Sequence, residues 1–237
     1  MTETGEQGAG LIWREGHVPV SARFDDPYFS PDDGLAESRH VFLAGNDLPG
    51  RFRDGFHIAE LGFGTGLNLA AALDAWRRAE VPGVLRYTAF EKYPLAPAEM
   101  ARALCAFPEI APVVEELLAY WRPGRRRIRL ADLEFHLIEG DARVTLPRWA
   151  GRADAWFLDG FAPARNPGMW TEALLGEVAR HSCAGGSFAT FTAAGHVRRA
   201  LAAAGFRVMR VAGFGRKRHM SRGVLAVPGP GNGETGR

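Results

Sequence analysis

Short apolar runs alternate with longer amphipathic segments along the chain from residue 56 onward. This alternation is typical of a parallel β-sheet that is covered by helices on both faces. Strands are predicted near residues 56–61, 84–90, 133–138, 154–159, 186–192, 206–212 and 223–228. Helices are predicted over residues 66–79, 97–106, 109–121, 171–181 and 194–204. The pattern therefore predicts an α/β fold with a seven-stranded sheet.

The residues before this alternation follow a different pattern. The apolar runs 11–13 and 18–20 flank the turn 15–16 as in a β-hairpin, and aromatic residues are interleaved with charges over 24–29. We expect residues 11–50 to form a β-rich arm on the carboxyl edge of the sheet, where open α/β sheets bind ligands. The other predicted divisions are a flexible start over 1–10, a main domain over 51–228 and a disordered tail over 229–237.

Composition narrows the class of protein without identifying it. The 237 residues are 46% hydrophobic with a net charge of +2, which suits one sizeable core and argues neither for nor against a nucleic-acid partner. The two cysteines lack the spacing of a disulfide framework or a metal site. The polar start resembles no secretory signal, and no apolar run is long enough to span a membrane. We therefore expect a cytoplasmic protein with no metal and no membrane partner.

The most specific local motif lies at the end of the first predicted strand. There Glu60 is followed by Gly62, Gly64 and Gly66. A dinucleotide-binding loop reads G-x-G-x-x-G and a P-loop ends in Gly-Lys-Ser or Gly-Lys-Thr, so the spacing fits neither. The pattern E-x-G-x-G-x-G resembles the first motif of class I S-adenosylmethionine-dependent methyltransferases. Glycine would let the backbone approach such a ligand closely; an ordinary strand-to-helix turn is the alternative.

Acids also follow the next two predicted strands. Glu91 follows the run 84–90, where an acid can accept hydrogen bonds from the two hydroxyls of a ribose. Asp141 follows the run 133–138, where an acid can accept a hydrogen bond from an adenine amino group. The predicted cofactor site comprises Glu60, Gly62, Gly64, Thr65, Gly66, Asn68, Glu91, Lys92, Asp141 and Ala142.

The predicted reacting site follows the fourth strand. Asp159 ends this strand and leads into a loop dense in turn-forming and aromatic residues. In class I methyltransferases this strand end faces the transferable methyl group, so Asp159 is the predicted catalytic residue. Phe161, Pro163 and Trp170 are predicted to wall or stack against a planar acceptor. A turn or helix-capping role is the alternative for Asp159.

Several separated motifs, taken in order, resemble the methyltransferase half of the MnmC family. They lie at residues 19–46, 62–68, 91–95, 158–170, 189–192 and 213–218. The resemblance covers roughly residues 11–227. It implies a class I methyltransferase fold in which the last two strands form an antiparallel hairpin, with its turn over residues 213–220.

The resemblance also implies an activity. Members of the family methylate the aminomethyl group on the wobble uridine of certain transfer RNAs, which gives 5-methylaminomethyl(-2-thio)uridine and S-adenosylhomocysteine. The implied partner is the anticodon stem-loop of transfer RNA, and Arg216, Lys217 and Arg218 on the exposed turn are expected to contact its phosphates. Because an aspartate with a pKa of about 3.9 is a weak base, Asp159 is expected chiefly to orient the amine.

The sequence departs from the MnmC family in two respects. Two-domain members carry a flavin-dependent oxidase after the methyltransferase, so we expect a standalone form that holds no FAD and relies on a separate enzyme for its aminomethyl precursor. His219 stands where the family often has Glu, and its role is open.

Two alternative functions remain. One is a class I methyltransferase that acts on a small-molecule or protein amine, and the other is an aminopropyl-transferase-like or binding relative. The Asp159 motif, the exposed basic turn and the aromatic arm together favour RNA over both.

Overall fold

The computed structural model describes residues 10–14, 18–122 and 124–227, and the predicted hairpin turn 15–16 and tail 229–237 lie outside these ranges, as does nearly all of the predicted flexible start. The strands are β1 (Leu11–Arg14), β2 (Val18–Ser21), β3 (Asp26–Pro27), β4 (His57–Leu61), β5 (Leu85–Glu91), β6 (Arg127–Arg129), β7 (Leu133–Glu139), β8 (Ala153–Leu158), β9 (Ser182–Thr190), β10 (Phe206–Ala212) and β11 (His219–Leu225). The α-helices are α1 (Gly34–Ser38), α2 (Leu67–Arg78), α3 (Pro97–Leu104), α4 (Ala111–Tyr120), α5 (Ala142–Thr145), α6 (Glu172–Arg180) and α7 (Gly195–Ala203). Single 3₁₀ or π turns lie at Arg39–Leu43, Ala44–Asn46, Pro108–Ile110, Leu146–Arg148 and Pro167–Trp170.

The main sheet of the described residues has eight strands in the order β10-β11-β9-β8-β4-β5-β7-β6. Neighbouring strands from β9 to β7 run parallel. Strand β6 pairs antiparallel with β7, and β11 pairs antiparallel with both β9 and β10. The predicted α/β fold with a final antiparallel hairpin is therefore confirmed.

Two details of the predicted sheet were wrong. The seven-stranded prediction omitted β6, because only Ile128 of its three residues is buried and exposed arginines flank it. The final hairpin is also tighter than predicted, since Ala212 pairs with His219 and leaves residues 213–218 as the turn. The last strand consequently begins at His219 instead of residue 223.

The packing around β4 and β8 holds the site-bearing loops in place. Both strands are buried along their whole length, and Trp156 and Phe157 of β8 are fully inaccessible. Helix α2 follows the glycine motif and buries Leu69, Leu73 and Trp76 in the core. Because close-packed interiors resist displacement, the carboxyl ends of these strands form a rigid platform.

The N-terminal arm lies over this platform. Strands β1, β2 and β3 form a small antiparallel sheet, so the predicted arm hairpin is present in its strands. The Asp26 carboxylate accepts a hydrogen bond from the backbone N–H of Ala162 at 2.8 Å. The Tyr28 ring contacts the Phe161 ring edge-on, with centroids 5.1 Å apart. No helix in the described part of the chain is long and apolar enough to cross a membrane.

Candidate active site

The glycine motif forms a tight loop between β4 and α2. Gly62, Gly64 and Gly66 all have positive φ, at 83°, 54° and 82°. A Cβ atom at Gly62 would lie 3.0 Å from the Asp159 carbonyl oxygen, and one at Gly64 would lie 3.0 Å from the Tyr28 ring. The loop therefore needs glycine both for its backbone conformation and for the close approach of neighbouring segments.

Glu91 links this loop to the end of β5. Its carboxylate accepts hydrogen bonds from the backbone N–H of Gly64 at 3.1 Å and from that of Tyr93 at 2.8 Å. Burial raises the pKa of this carboxyl above its ordinary value, while the backbone N–H groups oppose the rise. Glu91 lines both cavities described next, at the place where they adjoin.

Two adjoining cavities, of about 530 and 330 Å³, lie at the carboxyl edge of the sheet. They share a wall that comprises Tyr28, Gly62, Glu91, Gly160 and Phe161. The smaller cavity extends toward β7, and the larger one extends toward the hairpin turn. The arm and the loop after β8 thus divide one continuous depression into two compartments.

The smaller cavity contains the predicted adenine-binding acid. Asp141 accepts hydrogen bonds from Lys92 Nζ at 3.1 Å and from Arg143 Nη2 at 2.7 Å. These cations hold the pKa of Asp141 well below its ordinary value, with Arg143 the larger cause. Ala142 also lines this cavity. The predicted residues of this part of the site therefore lie together, and Asp141 is ionised at neutral pH.

Asp159 lines the larger cavity together with other predicted residues, which include Thr65 and Asn68. Asp159 accepts hydrogen bonds from the backbone N–H of Gly160 at 2.7 Å and from Asn68 Nδ2 at 2.8 Å. Burial raises the pKa of Asp159 to about 7, although both hydrogen bonds and the Lys217 charge favour the ionised form. This carboxyl is thus poised to gain or lose a proton near neutral pH.

Glu60 has a different position from the one predicted. Its side chain is fully buried and does not line either cavity. Its two carboxylate oxygens accept hydrogen bonds from Asn68 Nδ2 at 2.7 Å and from the Tyr87 hydroxyl at 2.9 Å. Burial, with the nearby Asp159, raises the pKa of Glu60 well above its ordinary value. The structure thus places Glu60 beneath the site, where it supports Asn68.

The three residues that were predicted to bind the acceptor occupy different positions relative to the cavities. The Phe161 ring lines both cavities and stacks on Phe24 with centroids 4.7 Å apart. Trp170 is buried, lines neither cavity, and donates a hydrogen bond from its indole N–H to the carbonyl oxygen of Phe161 at 3.0 Å. Pro163 belongs to the same loop but is not part of either cavity wall. The geometry therefore leaves Phe161 as the candidate contact and makes Trp170 its support.

The three basic residues in the turn of the final hairpin differ in their contacts and exposure. The Lys217 ammonium pairs with Glu37 at 2.8 Å and lies 4.4 Å from the centre of the Phe191 ring. The side chain of Arg216 is 90% exposed, with a distant contact to Asp32 at 3.5 Å. Arg218 is exposed. Arg216 and Lys217 therefore both line the larger cavity, but the Lys217 ammonium is held by Glu37, whereas the side chains of Arg216 and Arg218 are largely open to solvent.

Several residues of the larger cavity were not predicted from the sequence. They include Tyr28, Glu37, Ser38, Phe191 and Phe214. Glu37 and Ser38 belong to the five-residue helix α1 and are both buried. In the sequence, the signal that could have indicated these two site residues was an acid and a hydroxyl shortly after the apolar Leu35. Among the described residues, no cluster of three His, Cys, Asp or Glu side chains could hold a metal ion.

Comparison with known proteins connects this geometry to a family. Residues 108–226 match a family described as S-adenosyl-L-methionine-dependent methyltransferase. The tRNA 5-methylaminomethyl-2-thiouridine biosynthesis bifunctional protein MnmC of a Caulobacter species is 49% identical over 235 residues, which cover 92% of this chain and 39% of that protein. The protein of the same name from Chromobacterium violaceum is 48% identical, over 93% of this chain and 35% of its own length.

A solved structure agrees with these sequence relatives. The crystal structure of MNMC2 from Aquifex aeolicus superposes with a TM-score of 0.74 at 25% identity, and the match covers 90% of this chain and 68% of that chain. The chain spans less than two fifths of the length of the two curated relatives. The similarity therefore concerns the methyltransferase part of those longer proteins.

Proposed function

The chain belongs to the S-adenosyl-L-methionine-dependent methyltransferase family, and we propose that it methylates the amine of 5-aminomethyl(-2-thio)uridine at the wobble position of transfer RNA. The product would be 5-methylaminomethyl(-2-thio)uridine. The names of the two curated relatives, at 48–49% identity across nearly the whole chain, support this substrate. The observation that carries the proposal is the partly buried Asp159 carboxyl in a cavity that adjoins the glycine loop.

The described residues fit S-adenosylmethionine at the cavity boundary. Gly62 and Gly64 line the larger cavity without side chains that would occupy it, and the partly buried Glu91 carboxylate lines both cavities. We propose that Gly62, Gly64 and Glu91 hold the cofactor, with Asp141 and Lys92 at its adenosine end. When bound, the cofactor supplies a methyl group activated by a sulfonium and leaves as S-adenosylhomocysteine.

Asp159 would both orient the amine and accept a proton. A primary amine with an ordinary pKa of about 10.4 is mostly protonated at neutral pH and then lacks a free lone pair. An ordinary aspartate would accept that proton poorly, but burial raises the pKa of Asp159 to about 7. This higher pKa supports a role beyond the orienting one expected from the sequence, because base strength rises with pKa.

The aromatic walls of the larger cavity suit a planar base. Phe161, Phe191 and Phe214 line it from the loop after β8, the end of β9 and the hairpin turn. Proteins that read RNA commonly splay a base out of a loop and stack it on aromatic side chains. The wobble uridine lies in such a loop, and the exposed Arg216 and Arg218 would face the flanking phosphates of the anticodon stem-loop.

The proposed reaction also implies a cellular setting. Its substrate carries a free aminomethyl group, so another activity must first remove the carboxymethyl group from the carboxymethylaminomethyl precursor. A flavin-dependent oxidation is the expected chemistry for that step. We propose that both steps take place in the cytoplasm, where transfer RNA is modified.

The proposal is tested by mass spectrometry of nucleosides. Transfer RNA from a strain that lacks this gene should accumulate 5-aminomethyluridine species, and the purified protein with S-adenosylmethionine should convert them to methylaminomethyl forms. Unlabelled transfer RNA with methyl transfer to small amines or proteins would favour the first alternative. A nucleoside mass increase larger than one methyl group would favour aminopropyl transfer.

A further inference from the structure

Asn68 connects the buried Glu60 carboxylate with the partly buried Asp159 carboxylate. Its Nδ2 atom donates hydrogen bonds to Glu60 at 2.7 Å and to Asp159 at 2.8 Å. Its Oδ1 atom accepts a hydrogen bond from the Ser38 hydroxyl at 2.5 Å. The three partners belong to β4, to the end of β8 and to α1 of the arm. Both polar ends of the Asn68 amide are therefore bonded within the protein.

The chemistry of these partners favours a single orientation of the amide. When Glu60 and Asp159 are ionised, each carboxylate only accepts hydrogen bonds, so the Asn68 NH₂ group faces both of them. A rotated amide would place its oxygen against both carboxylates and lose both bonds. The Ser38 hydroxyl, only 3% exposed, donates to the oxygen on the opposite side. Ser38 and Glu60 together fix the N–H group that Asn68 presents to Asp159.

We propose that Asn68 is a positioning residue that orients the Asp159 carboxylate for methyl transfer, and that Ser38 and Glu60 act through Asn68. The inference rests on the proposed role of Asp159. It replaces the cofactor contacts expected for Glu60 and Asn68 with a supporting role. It also makes the arm part of the reacting site, because Ser38 belongs to a helix outside the main sheet.

The hydrogen bond from Asn68 has a predictable electrostatic effect. An N–H donor stabilises the ionised carboxylate, so its loss raises the pKa of Asp159 further. The other groups that face Asp159 are Glu60 on β4, Glu37 on α1 and Lys217 in the hairpin turn, and Tyr87 on β5 reaches Asp159 through Glu60. Asn68→Ala also removes the hydrogen bond that lowers the pKa of Glu60, whereas Ser38→Ala removes no hydrogen bond to any of these charged groups. A rise in the Asp159 midpoint in Ser38→Ala would therefore report the positioning contact itself.

The first test measures Asp159 directly and needs no transfer RNA. Carboxyl ¹³C shifts of aspartate-labelled protein are followed against pH, and the Asp159 signal is assigned by its loss in Asp159→Asn. The midpoint should rise in Asn68→Ala and, to a smaller extent, in Ser38→Ala. Ser182→Ala is the matched control, since Ser182 is also buried and its hydroxyl donates to the Val178 carbonyl oxygen at 2.8 Å. Unchanged midpoints in both site variants would overturn the inference.

The second test separates positioning from binding. Misplacement of a reacting group by about 1 Å can cost about 100-fold in rate, so kcat of Asn68→Ala should fall about 100-fold. Loss of one hydrogen bond should lower kcat of Ser38→Ala about tenfold. The KM for transfer RNA and the Kd for S-adenosylmethionine should change less than about threefold. Thermal unfolding identifies variants that fail to fold.

The outcomes distinguish this inference from the proposed function. A loss of S-adenosylmethionine affinity that accounts for the whole rate effect would return Asn68 to a cofactor-binding role and contradict the inference. If wild-type protein methylates no transfer RNA, the proposed function fails. The ¹³C titration would still decide whether Asn68 controls the Asp159 carboxyl.

Discussion

Asp159 and Asp141 follow parallel strands of the same sheet, yet their surroundings have opposite electrostatic effects. Burial raises the pKa of Asp159 to about 7. Hydrogen bonds from Arg143 and Lys92 lower the pKa of Asp141. The first carboxyl can exchange a proton near neutral pH, whereas the second keeps a fixed negative charge. One compartment is thus suited to chemistry and the other to binding a polar ligand edge.

The difference arises from the segments that cover each strand end. The arm and the hairpin turn cover the end of β8, and they bring Glu37 and Lys217 close to Asp159. Beyond the end of β7, Asp141 instead pairs with Arg143 of α5 and with Lys92, which follows β5. Parallel strands therefore supply equivalent positions at one edge, and the covering segments decide which position becomes reactive.

The largest expected effect comes from replacing the carboxyl in the larger compartment. Asp159→Asn keeps the shape of the side chain but removes its charge and basicity. Removal of one electrostatic contact in an active site costs about 100- to 1,000-fold in kcat, and we expect a loss of that order. Labelled-methyl transfer into transfer RNA measures it, with S-adenosylmethionine affinity followed in parallel. A variant that keeps most of its turnover would leave Asp159 with a turn or capping role.

At the boundary of the compartments we expect a smaller effect, and one on cofactor binding instead of kcat. Glu91→Gln should weaken S-adenosylmethionine binding by about 10- to 100-fold, because a hydrogen bond to a charged acceptor contributes roughly 1.5–3 kcal/mol. The kcat at saturating cofactor should change little. Titration calorimetry measures the affinity, and Glu99→Gln serves as a control because Glu99 caps α3 outside both cavities. Unaltered affinity in Glu91→Gln would argue against the predicted ribose contact.

The two aspartates should also differ in their effect on folding. The pKa of Asp159 is raised from 3.8 to about 7, so its stabilising contribution is complete below about pH 4 and is lost as the pH rises to about 7. Asp159→Asn should therefore increase the free energy of unfolding at pH 8 by up to about 4 kcal/mol relative to wild type, and change it little at pH 4.

Asp141→Asn provides the comparison for this effect. The pKa of Asp141 is lowered, so this carboxylate stabilises the fold above about pH 4 and loses that contribution at lower pH. Its replacement should decrease the free energy of unfolding at pH 8. Urea unfolding of both variants at pH 4 and pH 8 measures these differences. If both substitutions changed the free energy of unfolding in the same direction at pH 8, the conclusion that the two aspartates have opposite electrostatic surroundings would be wrong.

The features predicted well from the sequence depend on local patterns. The glycine motif, the alternation of strands and helices and the acids at strand ends all follow from positions close together in the chain. The resemblance to the MnmC methyltransferase is confirmed by the family match and the relatives. Parallel strands align their carboxyl ends, so Glu91, Asp141 and Asp159 were predicted to lie at the same edge, as they do.

The features that were missed depend on packing between distant segments. Glu37 and Ser38 reach Asp159 and Asn68 only because the arm folds back over the sheet. Glu60 was expected at the ligand, but its side chain is fully buried and accepts a hydrogen bond from Tyr87 of β5. Trp170 has an aromatic ring suited to stacking, and only the fold reveals that it is buried. Sequence spacing carries no information on these contacts.

The fourth prediction concerns the cation of the larger compartment. The Lys217 charge favours ionised Asp159, and its loss also leaves Glu37 unpaired beside that carboxyl. Lys217→Met should therefore raise the pKa of Asp159 and move the acid limb of the kcat profile to higher pH. A midpoint that is higher by about one pH unit lowers turnover on that limb about tenfold. Rate measurements from about pH 6 to 9 check this, with Lys217→Arg as the charge-conserving control; coincident profiles would separate Lys217 from the chemistry.

The smallest expected effect separates Lys217 from its neighbours in the turn. The sequence alone assigns all three basic residues to phosphate, but the Lys217 ammonium lies 2.8 Å from Glu37, whereas the Arg216 side chain is 90% exposed. Each phosphate contact contributes a slope of about −0.7 on single strands and −0.9 on duplex to log affinity against log salt. Replacing Arg216 and Arg218 by glutamine should flatten the slope for transfer RNA by roughly 1.4 to 1.8 if both contact phosphate, and Lys217→Met should leave it unchanged. Binding across a salt series decides between these assignments. A flatter slope in Lys217→Met would mean that the ion pair opens when RNA binds, and that the larger compartment recognises the phosphate backbone as well as the base.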